Sequence, residues 1–413
     1  MDNELLKYGV VGTPISHSRS PQMFNELFRQ NDINAHYTRI LNPDVKMMNR
    51  LSLDGFNITS PFKSSFAVFI DKELEFQSPI KIVNAIRIFE DKAQCYNFDI
   101  IALEEYVKDK VGKIKTALIL GSGDTAYSSA FVLKKFRINT ELAARNMQKG
   151  KQLCDEFDLK YQNISNVAGN YDLIISTIPL GASYKIIEKI SPEFLISADY
   201  TTDYKYSKNH FTGIDWLIAQ AKPFYRKLTG LRANNELMLK AVNTEKSKSI
   251  IHLTGFMGSG KSAIGKALAL ELGRKFIDSD ELIVNKENMS IKDIFDKKGE
   301  DYFRQIEAEV IDDSLMNDNI VLSTGGGALQ NDTTCTILND IAYNIYLSAD
   351  YEVMFERSYS NFRPLRHNDL KSFIDLFKIR ENKYYKISDL LVNSDIDVTS
   401  CVKMIADDIN RSK

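Results

Sequence analysis

The chain has 413 residues, of which 44% are hydrophobic and 26% charged, and its 53 lysines and arginines nearly balance its 55 aspartates and glutamates. This length exceeds one ordinary core and predicts two or three domains, while the balance of residue types excludes a largely disordered chain. Without blocks of like charge, the sequence argues against a nucleic-acid-binding protein and indicates small-molecule partners.

The four cysteines stand apart without a CxxC pair, and the five histidines form no HExxH or other ligand cluster. We therefore expect neither disulfides nor a structural metal. No apolar run reaches the 18 residues of a membrane span, and the N-terminus has no long apolar core. On this basis we expect a cytoplasmic protein that does not contact a membrane.

Short apolar runs alternate with longer amphipathic stretches along the whole chain. Examples are "KYGVVG" before "PQMFNELFRQND", "KTALILG" before "AYSSAFVLKKF", and "SIIHLTG" before "KSAIGKALALELG". Such alternation of buried strands and helices is typical of βαβ units on parallel sheets, so we predict an α/β fold throughout. A soft boundary near residue 102 and a polar linker predict the divisions 1–101, 102–243, 244–248 and 249–413.

Two serines lie at the first predicted junction of strand and helix. In "GTPISHSRSPQMFNELF", Ser18 and Ser20 precede a proline at the start of an amphipathic stretch. Serines at this position often cap the helix N-terminus. Their hydroxyls could equally hold a polyol and its carboxylate.

Lys63 in "GFNITSPFK" and Asp99 in "YNFDI" form a candidate acid–base pair. A carbonyl that receives hydride becomes an alkoxide, so such a site needs a proton donor and a partner that orients it. Thr59, Asn84 and Gln220 could hold the hydroxyls of the substrate. An ordinary surface pair of lysine and aspartate is the alternative for the first two residues.

The segment "GSGDTA" follows the strand "TALIL" and precedes a helix, and it fits the pattern GxGxxA of a dinucleotide-binding loop. Its candidate cofactor-binding residues are Gly121, Ser122, Gly123 and Ala126. Arg145 follows the next strand, where an NAD-binding fold would carry an acidic residue. Because an arginine there accommodates a 2′-phosphate, we predict NADP(H) as the cofactor.

Residues 255–262, "GFMGSGKS", fit the phosphate-binding pattern GxxxxGK[ST] between the strand "IIHLT" and a helix rich in Ala and Leu. Backbone amides of such a loop bind ATP phosphates, a lysine neutralises the outer phosphates, and a serine hydroxyl ligates Mg²⁺. The predicted ATP-binding residues are Gly258, Ser259, Gly260, Lys261, Ser262 and Ala263.

Two carboxylates, Asp278 and Asp280, follow the strand-like run "KFI", at the edge where open α/β sheets bind ligands. One could join the shell of the metal and the other hold a hydroxyl, unless the segment is a plain surface turn. Arg304 and Glu307 in "YFRQIEAEVI" stand three residues apart on a predicted helix. A surface ion pair is the simple alternative for them.

Three consecutive glycines in "VLSTGGGAL" follow another buried strand; they are Gly325, Gly326 and Gly327. Their entropic cost is explained best by a ligand that approaches the backbone closely. The polar, basic segment 361–370 suits a lid that brings Arg363 over the phosphates, and Arg380 follows in the next helix. Each arginine alone could also be a solvated surface residue.

These groups together indicate a small carboxylated polyol as the phosphoryl acceptor, since an aspartate suits its hydroxyls and arginines suit its carboxylate. GxxGxGKS, DSD, FRxxE, GGG and RPL, in this order, resemble the shikimate kinase family across residues 249–413. The roles that the resemblance implies are shikimate binding for Asp280, Arg304, Arg380 and the three glycines, phosphoryl stabilisation for Lys261 and Arg363, and Mg²⁺ binding for Ser262 and Asp278. The lid departs from the family in reading "RPLRHND".

Over residues 5–243 the motifs of the first half resemble the shikimate dehydrogenase family. The dehydrogenase resemblance implies an α/β substrate domain and a Rossmann-like NADP domain whose C-terminal helices return to it. The kinase resemblance implies that a P-loop α/β domain like nucleoside-monophosphate kinases follows them. Three positions depart from the family: Asp124 replaces a small neutral residue, Ile100 a glycine, and Thr202 a tyrosine.

The sequence therefore favours a bifunctional enzyme that reduces 3-dehydroshikimate with NADPH and phosphorylates shikimate with ATP. The main alternative is an active kinase fused to a catalytically weak or regulatory dehydrogenase-like module, which the three departures support. Another P-loop kinase of small molecules, such as gluconate or nucleotides, fits the carboxylated-polyol set less well.

Overall fold

A computed structural model describes residues 4–202, 204, 206, 208–359 and 369–410. The chain divides into two units, each with dense internal contacts. The first unit comprises Met1–Phe56, Ala67–Asp71 and Thr244–Lys413, and the second comprises Asn57–Phe66 and Lys72–Asn243. The first residues of the chain are thus grouped with residues that follow the predicted linker, and the boundaries proposed in chain order stay a prediction.

Within these described ranges the chain forms 17 strands and 16 α-helices, numbered here along the sequence. The strands are β1 (Leu6–Gly12), β2 (Ala35–Leu41), β3 (Gly55–Ile58), β4 (Glu73–Phe76), β5 (Ala85–Phe89), β6 (Lys92–Tyr96), β7 (Thr116–Leu120), β8 (Asn139–Ala144), β9 (Lys160–Asn163), β10 (Leu173–Ser176), β11 (Phe194–Ser197), β12 (Asn209–Phe211), β13 (Ile250–Thr254), β14 (Lys275–Asp278), β15 (Ile320–Ser323), β16 (Tyr343–Ser348) and β17 (Leu390–Asn393). The helices are α1 (Ser20–Gln30), α2 (Val45–Leu51), α3 (Phe98–Lys108), α4 (Asp124–Lys135), α5 (Met147–Phe157), α6 (Leu180–Ile190), α7 (Gly213–Thr229), α8 (Asn235–Ala241), α9 (Lys261–Glu271), α10 (Ser279–Glu287), α11 (Ile291–Lys298), α12 (Glu300–Leu315), α13 (Asp332–Ile341), α14 (Tyr351–Arg357), α15 (Leu370–Ile387) and α16 (Val398–Asn410). The predicted α/β class is confirmed.

In the first unit, the strands that follow the linker form a parallel sheet in the order β14-β15-β13-β16-β17. All residues of β13, β15, β16 and β17 are buried, as expected for parallel strands covered on both faces by helices. The carboxyl ends of β13, β14 and β15 bring the phosphate loop, Asp278 and the three glycines to one edge of the sheet. This arrangement positions the first candidate site.

The same sheet continues into the first strands of the chain. β17 pairs in parallel with β2, with Leu390 opposite Arg39, and β2 pairs in parallel with β1. Beside this seam, Lys7 of β1 forms a buried ion pair with Glu381 of α15 at 3.0 Å, and the Tyr385 hydroxyl donates to the carbonyl of Tyr8 at 2.7 Å. The first unit therefore has one continuous sheet, built from both ends of the sequence.

The second unit contains a six-stranded parallel sheet in the order β12-β11-β10-β7-β8-β9. This is the order of a Rossmann sheet, with β7 at the point where the strand order reverses and dinucleotides bind. Ala126, Ala130 and Leu133 of α4 are fully buried in the core that covers one face of this sheet. The same unit holds β4, β5 and β6, in which β6 pairs antiparallel with β5 and parallel with β4.

Two general features bear on the environment of the protein. Cys95, Cys154, Cys335 and Cys401 are free thiols. Among the described residues, no helix combines the length and the apolar character that crossing a membrane requires.

Two buried histidines should make the stability of the first unit depend on pH. Burial lowers the pKa of His36 and of His252 from 6.5 to about 4, so both stay neutral in the folded chain. Between pH 6.5 and 4 the unfolded chain binds more protons, so the stabilisation present above pH 6.5 is lost as the pH falls towards 4. We expect each histidine to lower the free energy of unfolding by about 1 kcal/mol per pH unit in this window.

Urea unfolding between pH 7.5 and 5 measures this dependence as a difference between wild type and His252→Gln. The variant should lose stability less steeply than wild type, whatever its stability at pH 7.5. Parallel pH dependences of the two proteins would contradict the prediction.

Candidate active sites

The phosphate loop joins β13 to α9 and requires glycine at positions where other residues do not fit. Gly255 has φ +140° and Gly258 has φ +82°, both in the region that favours glycine. A Cβ atom at Gly258 would overlap the carbonyl oxygen of Met354, and one at Gly255 would lie 2.5 Å from that of Leu347. The loop therefore packs directly against the backbone at Leu347 and Met354.

Lys261 and Ser259 give this loop its polar interior. The buried Lys261 side chain folds back over the loop, and its Nζ donates to the carbonyls of Gly255 at 2.8 Å and Phe256 at 3.0 Å. The Ser259 hydroxyl is fully buried and has no hydrogen-bond partner among the described residues. A cation and an unpartnered hydroxyl at a helix N-terminus are the groups that bound phosphates would satisfy.

Ser262 and Asp278 lie together beside the loop, with the serine Oγ donating to the aspartate Oδ2 at 2.7 Å. No cluster of three or more His, Cys, Asp or Glu residues able to hold a metal occurs in the described ranges. Mg²⁺ in phosphoryl-transfer sites uses one or two protein oxygens and completes its shell with phosphates and water, so the pair fits such an ion.

Two of the three glycines after β15, Gly325 and Gly327, lie against charged side chains of the site. A Cβ atom at Gly325 would lie 2.6 Å from Oε1 of Glu307 and 3.0 Å from Oδ1 of Asp280. One at Gly327 would lie 2.5 Å from a guanidinium nitrogen of Arg304. Neither glycine has a positive φ. The space that the charged side chains need therefore explains why glycine occupies both positions.

Arg304 and Glu307 form a partly buried pair at 2.6 Å, and the Glu307 side chain is only 3% exposed. A plain surface ion pair therefore does not describe them. Burial raises the pKa of Glu307 although Arg304 opposes the shift. Arg304 also donates to Glu300 at 3.0 Å, which leaves its guanidinium fixed beside the glycines.

Arg380 and Tyr384 of α15 approach the middle of the glycine loop. Arg380 is 7% exposed and donates to the carbonyl of Gly326 at 3.4 Å, and the Tyr384 hydroxyl donates to the same oxygen. Arg380 is therefore not a solvated surface residue. Arg363 and residues 361–368 of the predicted lid segment lie outside the described residues.

A cavity of about 420 Å³ lies along the phosphate loop and reaches both aspartates, Asp278 and Asp280. Its wall also includes Arg357, at the end of α14, and four residues between β17 and the start of α16, which the sequence interpretation did not single out: Ser394, Ile396, Asp397 and Val398. Nothing in their spacing along the sequence marks them as site residues. Glu307 was visible in the FRxxE pattern, but its burial was not.

In the second unit, Lys63 and Asp99 form an ion pair with a distance of 2.5 Å between Nζ and Oδ2. Their side chains are only 10% and 9% exposed, so a solvated surface pair does not describe them. Lys63 Nζ also contacts Thr125 Oγ1 at 3.4 Å, in the first turn of the helix that follows the dinucleotide loop. The Asp99 carboxylate is therefore placed to orient the Lys63 ammonium group.

Amide side chains lie near the start of α3. Asn84 Oδ1 accepts the N–H of Phe98 at 2.8 Å, and Asn84 Nδ2 lies 3.5 Å from Oε1 of Gln220. Asn97 caps α3 by accepting the N–H of Ile100. Thr59, after β3, is half-buried.

Ser18 and Ser20 belong to the first unit, where they are 4% and 3% exposed. The N-cap of α1 is Arg19, and no side chain makes a capping hydrogen bond there. Helix capping therefore does not account for the two serines.

The dinucleotide loop lies between β7 and α4. Gly121 has φ +113°, and a Cβ atom there would overlap Thr177 Oγ1. Gly123 is exposed, and a Cβ atom added to it would meet no other atom within 4 Å, which leaves open space over the helix N-terminus. Ser122 is half-buried, Ala126 is fully buried, and Arg145 is exposed directly after β8.

The three departures from the family pattern differ in their surroundings. Ile100 is buried in the core of the second unit, and the Thr202 hydroxyl donates to Asp199 at 2.8 Å. Both residues have local structural partners. Asp124 is the first residue of α4 and places a carboxylate at the N-terminus of the helix that follows the loop.

The parallel sheet, the glycine loop over a buried lysine, and the carboxylates and arginines around the second glycine loop define a P-loop phosphotransferase for a small anionic acceptor. The shikimate kinase family model matches residues 257–410. A shikimate kinase of Macrococcus caseolyticus is 41% identical over 157 residues, which are 37% of this chain and 92% of that protein. The chain belongs to the shikimate kinase family.

The first half is homologous to shikimate dehydrogenases. The model of the shikimate dehydrogenase substrate binding domain matches residues 10–86. The shikimate dehydrogenase (NADP(+)) of Methanococcus maripaludis is 28% identical over 282 residues, covering 59% of this chain and 99% of that protein. A solved shikimate dehydrogenase from Aquifex aeolicus has a TM-score of 0.51 at 23% identity, covering 59% of this chain and all of that one, and shows the shared fold. Both resemblances seen in the sequence are confirmed.

Proposed function

We propose that this chain is a bifunctional enzyme that reduces 3-dehydroshikimate to shikimate with NADPH and phosphorylates shikimate to shikimate 3-phosphate with ATP and Mg²⁺. The observation that carries the proposal is that one chain contains two different sets of side chains suited to catalysis. One is the buried pair of Lys63 and Asp99, and the other is the phosphate loop with Asp280, Arg304 and the glycines. The named relatives act on the same small molecule in each case.

In the reduction, bound NADPH supplies the hydride to the ring carbonyl. Lys63 donates a proton to the alkoxide oxygen that develops, and Asp99, 2.5 Å from its Nζ, orients the ammonium group. Ser18, Ser20, Thr59, Asn84 and Gln220 bind the hydroxyls and the carboxylate of the substrate. Arg145, exposed after β8, would pair with the 2′-phosphate of the cofactor.

In the phosphorylation, Asp280 accepts a hydrogen bond from the acceptor hydroxyl and orients it for in-line attack. Arg304 and Arg380 bind the carboxylate of shikimate, as planar guanidinium groups pair with carboxylates bidentately. Lys261 neutralises the charge that develops on the transferred phosphoryl group, assisted by Arg363 from the predicted lid. Ser262 and Asp278 would hold Mg²⁺, which would supply positive charge to the phosphates.

Gly327→Ala should weaken acceptor binding without unfolding the protein. The added Cβ would meet the guanidinium of Arg304 at 2.5 Å, and this flexible end moves away more readily than backbone. Losing a charged hydrogen bond costs about 1.5–3 kcal/mol, so the KM for shikimate should rise about 10- to 100-fold. Steady-state kinase assays test this, with Gly112→Ala as the control because no atom lies within 4 Å of its added Cβ. A KM equal to that of the control would contradict the prediction.

One observation favours a kinase fused to a dehydrogenase-like module that does not turn over. Asp124 places a negative charge where the cofactor pyrophosphate would meet the N-terminus of α4, and this repulsion would weaken cofactor binding. Titration of NADPH fluorescence distinguishes the alternatives, since a module that does not bind the cofactor gives no saturable signal. Asp124→Ser should then raise the affinity.

Two assays on the purified chain test the main proposal. NADPH should be oxidised in the presence of 3-dehydroshikimate, and ATP should be consumed in the presence of shikimate. If only ATP is consumed, the result supports the kinase activity and contradicts the dehydrogenase activity. As part of the proposal, we place the enzyme in the cytoplasm, since its four cysteines are free, and we assign it small-molecule partners alone.

A further inference from the structure

The segment between β1 and α1, residues 13–19, is here called the serine loop, and the last helix of the chain holds it. The N–H of Ile15 donates to Oδ1 of Asp408 at 2.5 Å, and the N–H of Ser16 donates to the same oxygen at 3.1 Å. The Ser16 hydroxyl donates to the main-chain carbonyl of Asp408. A single residue of α16 therefore fixes two successive amides that lie about 390 residues earlier in the chain.

Asp408 is 2% exposed, so these contacts are made in the interior of the first unit. A buried carboxylate is costly unless N–H groups replace its water, and charge-assisted bonds to backbone amides are among the strong ones. Its other oxygen, Oδ2, is buried and has no hydrogen-bond partner among the described residues. The two amides of the serine loop are therefore the hydrogen-bond donors that stabilise this side chain.

The other end of the serine loop is held by a buried arginine. Arg39 of β2 donates to the carbonyl of Ser18 through Nε at 3.0 Å and through Nη2 at 2.6 Å. Its Nη1 donates to the carbonyl of Asp389, directly before β17, at 3.2 Å. Charged groups thus hold the loop at both ends: Asp408, which follows the linker, holds one end, and Arg39, which itself contacts the residue before β17, holds the other.

We propose that Asp408 is a positioning residue for the dehydrogenase reaction, although it lies in the kinase part of the sequence. By fixing Ile15 and Ser16, its carboxylate sets the position of Ser18 and Ser20, which bind the carboxylated polyol. The inference rests on the proposed function of these serines. A substrate site is productive only when surrounding groups hold its contact residues within about 0.5 Å of the productive geometry.

Kinetics of shikimate oxidation by NADP⁺ in the full chain test the inference. Asp408→Ala should raise the KM for shikimate about 10- to 100-fold, because displaced serines lose hydrogen bonds to the charged substrate, while kcat changes less than about threefold. Asp408→Asn keeps an acceptor oxygen and should stay within about threefold of wild type. Asp407→Ala is the matched control, because this neighbour on α16 is exposed. The kinase constants, measured on the same preparation, should not change.

An unchanged KM in Asp408→Ala, or a loss in kcat at constant KM, overturns the inference. If the alanine variant does not fold, Asp408→Glu decides: it keeps the charge but moves the carboxylate by one methylene group, so a raised KM supports the inference and an unchanged KM overturns it. Absence of dehydrogenase turnover in wild type would instead overturn the proposed function, and this inference with it.

Discussion

Lys261→Met should reduce the kcat of the kinase reaction about 10²- to 10³-fold or more, because the ammonium group neutralises charge that develops during phosphoryl transfer. The KM for shikimate should change little, since Asp280, Arg304 and Arg380 remain. Oxidation of NADPH by 3-dehydroshikimate should continue at the wild-type rate. Coupled assays of both reactions on one preparation measure the three quantities.

The control for this variant is Lys266→Met, which removes an exposed lysine from the same helix. It should leave both reactions unchanged. A kinase kcat in Lys261→Met within about tenfold of wild type would remove this lysine from the proposed chemistry.

Lys63→Met should abolish most of the dehydrogenase activity, lowering kcat about 10²- to 10⁴-fold through the lost proton donor. The kinase reaction should continue. The substitution also leaves Asp99 buried without its partner, which costs about 3–5 kcal/mol of stability. The double variant Lys63→Met/Asp99→Asn removes that buried charge, so it should recover stability but not activity.

Urea unfolding and NADPH oxidation, measured on the single and double variants, separate the two effects. Lys72→Met is the matched control, because Lys72 pairs with the exposed Asp91 in the same unit. Recovery of dehydrogenase activity in the double variant would contradict a catalytic role for Lys63 and leave it a structural one.

The prediction for Lys63, and the proposed acceptor site around Arg304, depend on burial that the sequence did not reveal. As patterns, Lys63 with Asp99 and Arg304 with Glu307 were each compatible with surface ion pairs, since spacing along the chain does not determine solvent exposure. In the structure, Asp99 is 9% exposed and Glu307 3% exposed on their side chains. Asp124 remains the feature of the first half that favours the regulatory alternative.

Much of the architecture was predictable from local patterns. The alternation of apolar runs and amphipathic stretches predicted parallel sheets, because each buried strand must be covered by helices. The two glycine loops after β7 and β13 were predictable since a tight turn that leaves amides free excludes most side chains. The sequence singled out the three glycines after β15 as a place where a ligand approaches the backbone, and in the structure Gly325 and Gly327 lie against Asp280, Glu307 and Arg304.

The sequence by itself determined the α/β class, the two families and the phosphate loop, because short-range periodicity and glycine spacing encode them. Only the tertiary structure decided that β17 pairs with β2 and that Asp408 holds the serine loop. Strand pairing and the hydrogen bonds of buried carboxylates join residues that are distant in sequence. Nothing in the local sequence of either partner specifies the other. The two ends of the chain therefore fold into a single unit that the order of motifs did not predict.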